Sequence, residues 1–244
     1  MKKYLPLILF VVGLGALTAV FFVLKGKKTS VETEETALQE VALEKRPVTS
    51  LTPSEDGHWL NLKIEKIVLD ATSFDYELLY KLPDGRTQGV PGTVKLDSQK
   101  TIERELLLGS ESSGKFSYDE GVEQGTLTLR FRNEKGKLLV KFSTQFHLQS
   151  DTKKLTSVDG NFSYTLTRTP SETFFVTMET FGLPGDAPAE VASGPYGVFS
   201  SSKTNLAGSV EMDGDSVYRW TGTKWTELSD PSSPDIGIFV ATSD

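Results

Sequence analysis

Residues 138–148 read LLVKFSTQFHL, with Leu138, Val140, Phe142, Phe146 and Leu148 on one face of an extended chain and Lys141, Ser143, Gln145 and His147 on the other. That two-residue period is the mark of a half-buried β-strand. Residues 126–132 repeat it, with Leu127, Leu129 and Phe131 opposed to Arg130 and Arg132, and Asn133-Glu134-Lys135-Gly136 between the two runs is turn chemistry. The pair reads as a hairpin.

Working outward, strands are expected at 60–65, 74–82, 92–96, 101–108 and 115–118, separated by Pro83-Asp84-Gly85, Gly109-Ser110 and Glu120-Gly121. About seven strands over residues 54–150 is the spacing of an immunoglobulin-like β-sandwich. Further strands at 161–168, 173–181, 197–200, 209–212, 216–221, 224–228 and 236–242 make residues 151–244 a second, smaller β domain. The expected fold class is all-β.

The first 53 residues are a different material. Residues 4–24 carry no charge, and 21 residues at about 1.5 Å each span the roughly 30 Å of bilayer hydrocarbon. Lys2 and Lys3 precede this run and Lys25, Lys27 and Lys28 follow it, so residues 1–28 read as a single transmembrane anchor with basic flanks. A cleaved signal peptide is the competing reading, opposed by the length of the apolar run and by the lack of a small-x-small cleavage site. Residues 29–53 are rich in Glu, poor in aromatics and read as an acidic stalk. Only three residues precede the apolar run, and the rest is a Cys-free, Ser/Thr-rich β sequence. The expected placement is therefore a bacterial cell membrane, single-pass, N-terminus cytoplasmic and bulk extracytoplasmic.

Charge sharpens that division. The first 28 residues hold five Lys and no acid, so the remainder carries −12 where the whole chain carries −7. An acidic exterior argues against nucleic acid, which needs a basic face. Zero Cys excludes disulfides, thiol catalysis and thiolate metal sites.

His58 and His147 are the only neutral-pH bases, and neither has a sequence partner that would position it for catalysis. Ser-x-x-Lys occurs at Ser112, Ser150 and Ser200 without the helix or companion motif that nucleophilic use requires. Asp213-Gly214-Asp215 can offer oxygens to Ca²⁺, but Asp-Gly between two apolar runs is first a hairpin turn. No metal or cofactor is expected. A cleft gathering several of Asp70, Asp75, Glu103, Asp119 and Glu123 would point instead to hydrolysis by paired carboxylates.

Tyr218-Arg219-Trp220-Thr221-Gly222-Thr223-Lys224-Trp225 holds two of the three tryptophans. Tyr218, Trp220 and Trp225 are the candidate ligand-binding residues, because a row of aromatic faces stacks on sugars. The same row also pins a hairpin by cross-strand pairing. This Y-x-W-x-G-x-x-W hairpin resembles small decorations of bacterial surface and fibre proteins.

Asp75-Tyr76-Glu77-Leu78, Lys81-Leu82-Pro83-Asp84-Gly85, Thr87-Gln88-Gly89-Val90-Pro91-Gly92 and Tyr118-Asp119-Glu120-Gly121-Val122-Glu123 resemble uncharacterised bacterial membrane-anchored proteins with one Ig-like β domain. The resemblance covers about residues 59–149 and implies location and fold, with no activity attached. The expected function is non-enzymatic: β domains presented at the cell envelope for binding or for structural and adhesive contact. The partners expected are the lipid bilayer, through residues 4–24, and an envelope protein or glycan. The alternatives are a carbohydrate-binding module or an assembly factor for an envelope machine.

Overall fold

A computed structural model of the chain describes residues 40–243. The apolar run at 4–24, its flanking lysines and the first part of the stalk lie outside the described residues. No helix among the described residues is long and apolar enough to cross a membrane.

After a 3-10 turn at Leu43–Lys45 the chain is β throughout. The first strands are β1 (Val48–Pro53), β2 (Trp59–Glu65), β3 (Ser73–Lys81), β4 (Thr87–Lys95), β5 (Ile102–Leu107), β6 (Gly109–Ser112), β7 (Lys115–Tyr118), β8 (Gln124–Arg132) and β9 (Leu138–Ser150). They are followed by β10 (Lys154–Thr156), β11 (Phe162–Leu166), β12 (Phe174–Glu179), β13 (Val191–Ser200), β14 (Gly208–Met212), β15 (Ser216–Trp220), β16 (Trp225–Glu227), β17 (Ser232–Ser233) and β18 (Ile238–Thr242).

Nine of these form one antiparallel sheet in the order β16-β15-β18-β13-β12-β9-β8-β3-β4. The remaining sheets are β1-β2-β5, β10-β11-β14-β17 and the two-stranded β6-β7. Burial alternates along β9 as its sequence period requires, and the Asn133 side chain closes the β8–β9 hairpin by accepting from the Lys135 and Lys137 N–H groups at 3.0 Å each.

The long sheet passes from one half of the chain to the other at β9–β12, where Phe174 faces Ser150 and Met178 faces Phe146. Successive side chains of β12 serve opposite cores. Val176 and Met178 join Leu62, Phe74, Phe131 and Phe146 beneath β1-β2-β5, whereas Phe175 joins Phe162, Tyr164 and Phe239 beneath β10-β11-β14-β17. The two small sheets therefore cover opposite faces of the long one. A strand buried on both faces loses its alternation, and Phe174-Phe175-Val176 shows it.

Two expectations need correction. Val48–Pro53, assigned above to the end of the stalk, is strand β1: it pairs with β2, Leu51 is fully buried, and the Thr49 N–H donates to the Thr180 carbonyl at 3.0 Å. Its Thr/Ser-rich sequence hides a strand held mainly through its backbone. The chain reversal at Asp213-Gly214-Asp215 does not close a hairpin, because β14 lies in the four-stranded sheet and β15 in the long one. Gly214 has φ +148, a conformation open to glycine, and the segment crosses between layers.

Candidate functional site

The tryptophan hairpin forms as its sequence requires. Trp220 stands directly opposite Trp225 across β15–β16, their rings edge to face with centroids 5.3 Å apart. Trp220 also lies over the loop at Gly185, where an added Cβ would come within 2.5 Å of the ring. A groove of about 520 Å³ is lined by Lys66, Pro184, Asp186, Trp220, Lys224 and Trp225. Tyr218 stands apart from this groove, between Glu227 and Val240. Much of each tryptophan is spent on the other and on the Gly185 loop, and the buried Trp225 indole N–H has no acceptor among the described residues.

A second aromatic group comes from residues distant in sequence. The β6–β7 hairpin projects from the end of β1-β2-β5, and all four residues of β7 are exposed. Phe116 is 47% and Tyr118 40% exposed, two of the most exposed large apolar side chains described. Trp59, on the outward face of β2, meets Phe116 edge to face at 5.6 Å. Phe116 and Tyr118 lie nearly parallel at 6.2 Å, and His58 stacks on Tyr118 at 4.2 Å with planes 11° apart. The four rings make one surface ribbon.

The His58 end of this ribbon opens into a cleft of about 440 Å³. Its walls include Asp56, Asp119, Glu120 and Glu123, its lining has no Lys or Arg, and Phe174 contributes an apolar patch. Asp119 is fixed from below by the buried Tyr80, whose hydroxyl donates to it at 2.9 Å. Burial first, and this carboxylate second, raise the Tyr80 pKa well above the ordinary tyrosine value. Asp56 accepts from the Ser54 hydroxyl at 2.5 Å and the His58 N–H at 3.1 Å, and the Ser54 bond in particular keeps its carboxyl below the usual range. So weak a base fixes its turn and does not activate Ser54.

Of the five carboxylates named above, Asp119 and Glu123 meet in this cleft. Asp75 is instead on the outer face of the long sheet, accepting from Arg132 at 2.7 Å and Thr93 at 2.8 Å. Also lining the cleft is His147, whose Nδ1 lies 2.9 Å from the Thr156 carbonyl oxygen. Among the described residues no group of three His, Asp or Glu side chains is placed to hold a metal ion.

A smaller pit of about 190 Å³ lies on the opposite face, lined by Ser143, Gln145, Ser157, Asp159, Glu179 and Tyr196. Tyr196 donates to Asp159 at 2.6 Å and stands across β12–β13 from Glu179. Burial opposes ionisation of Asp159, but bonds from Ser157, Tyr196 and Asn161 outweigh it and hold the carboxyl low. Glu179 lacks such donors, and burial raises its pKa.

No protein-family model matches this chain, and neither the curated proteins nor the solved structures include a significant match to it. The site is therefore read from its own chemistry. The tryptophan hairpin was legible because its residues are neighbours; the ribbon was not, because His58-Trp59 and Phe116-x-Tyr118 meet only through the fold. The available signal was Phe116 and Tyr118 on one side of a short strand with Ser117 between them.

Proposed function

We propose that this is a non-enzymatic envelope protein, held in the membrane by residues 4–24 and displaying its β scaffold outside for binding, with the β6–β7 hairpin as the contact surface. The observation that carries the reading is the exposed ribbon of Trp59, Phe116, Tyr118 and His58. Exposed ring faces gathered on a projecting hairpin are unusual unless something covers them. The immunoglobulin-like reading of the first module belongs to the same proposal: its support is the order β1-β2-β5 facing β4-β3-β8-β9, with β6–β7 inserted between the strands that would be E and F.

Protease shaving of intact cells tests the placement. Loss of the β scaffold from the outside, in cells without an enclosing outer membrane, is the expected result, and its full protection would contradict it. A glycan-binding reading of Tyr218, Trp220 and Trp225 has one observation in its favour, the 520 Å³ groove between the tryptophans and the Gly185 loop. Glycan binding unchanged by Trp220→Ala and Trp225→Ala would remove it.

A further inference from the structure

We propose that the β6–β7 hairpin docks an extended peptide segment of a partner protein carrying Arg or Lys, which adds along the edge of β7 and lays its cationic side chains over Tyr118 and Phe116 toward the cleft. This names the partner class for the binding surface proposed above and rests on that reading.

Three observations converge on such an occupant. The first is backbone: β6 and β7 form a two-stranded sheet of their own, and among the described residues no other strand pairs with either. An edge of this kind can accept an added strand through main-chain bonds. The second is the ring faces, since Phe116 and Tyr118 point to the same side of β7 with nearly half of each side chain in solvent. A guanidinium or ammonium over such a face gains about 0.5–2 kcal/mol, more as water is excluded.

Charge is the third. Beyond Tyr118 the strand runs directly into Asp119 and Glu120, and the cleft adds Asp56 and Glu123 with no cation in its lining. Glu111, opposite Phe116 in the β6–β7 pair, extends the negative field along the ribbon. The positive groups nearby are Lys115 at the turn and Arg86, which is already bound to Asp84 at 2.7 Å. An anionic wall polymer would meet repulsion along this path, and a neutral glycan would leave the carboxylates unused.

The test uses the full chain in nanodiscs of neutral lipid, titrated with a fluorescent decapeptide of alternating Arg and Thr. Parallel titrations use the matching Glu/Thr peptide, a neutral chitin oligosaccharide and vesicles of anionic lipid. Saturable binding of the Arg peptide, weakened about tenfold or more by Phe116→Ala with Tyr118→Ala, is expected. Glu120→Lys with Glu123→Lys should weaken it similarly and flatten its salt dependence. Ser117→Pro, which distorts the β7 edge, should also reduce it, while Leu79→Ser on the far face should leave it unchanged.

Equal affinity for the Arg and Glu peptides, or indifference to all hairpin variants, overturns the proposal. Binding of the oligosaccharide or the anionic vesicles through Phe116 and Tyr118, with none of the Arg peptide, overturns it too but leaves the hairpin as a contact surface. Failure of all four probes at the hairpin counts against both readings.

Discussion

The His58 imidazole lies flat on the Tyr118 ring, 4.2 Å between centroids, and so ties the turn before β2 to the far end of the projecting hairpin. The contact makes the ribbon a continuation of the scaffold. Stacked aromatic pairs contribute about 0.5–1.5 kcal/mol beyond the area they bury. His58→Ala should accordingly cost about 1 kcal/mol in urea unfolding. It should also speed amide exchange at 115–118 more than elsewhere, and unchanged exchange there would separate the hairpin from the scaffold.

Glu179 gives the fold a defined response to pH. Its folded pKa is raised above the ordinary 4.5 by burial, so the native state holds its proton more tightly than the unfolded chain. The stability it contributes is fully present below about pH 4.5 and is lost as pH rises through the folded pKa. Glu179→Gln should thus stabilise the protein at neutral pH, by about 0.5–2 kcal/mol, and leave it little changed in acid. Asp159 acts in the opposite sense: its lowered pKa contributes above 3.8 and is lost as pH falls. Urea melts across this range, with Glu179→Gln and Asp159→Asn, check both signs.

Gly185 is where the tryptophan hairpin meets its loop. A methyl group there would sit 2.5 Å from the Trp220 ring, which is already packed against Trp225. Gly185→Ala should displace the ring, at a cost of about 1–3 kcal/mol with a shift in tryptophan emission. Wild-type stability and emission would show that Trp220 is free to move.

Phe175 is fully buried among Phe162, Tyr164 and Phe239, while its neighbour Val176 is fully buried in the other core. Phe175→Ala should cost about 3–5 kcal/mol. Because β12 belongs to both cores, the loss should lower the unfolding midpoint seen by probes in either half, and a midpoint that falls in one half alone would contradict that coupling.

Legibility in the sequence followed the range of each interaction. β8, β9 and the Trp220–Trp225 hairpin announced themselves because period, turn and pairing all lie within about twenty residues. β1 did not, since Leu51 is its one fully buried aliphatic side chain and its pairing with β2 is a matter of backbone bonds. The Asp213-Gly214 reversal was visible as a bend, but no local signal says that β14 and β15 lie in different sheets. The passage of one sheet through β9 and β12 was hidden as well, because Phe174-Phe175-Val176-Thr177-Met178 serves two faces and shows no alternation. The ribbon was invisible for the same reason of distance: His58 and Tyr118 are sixty residues apart.

Amide hydrogen exchange of the full chain, with and without the Arg/Thr decapeptide, tests the central claim most directly. The account predicts protection concentrated at Lys115–Tyr118 and around His58, and none at 218–227. Protection at the tryptophan hairpin instead, or none at β7 under saturating peptide, would contradict it.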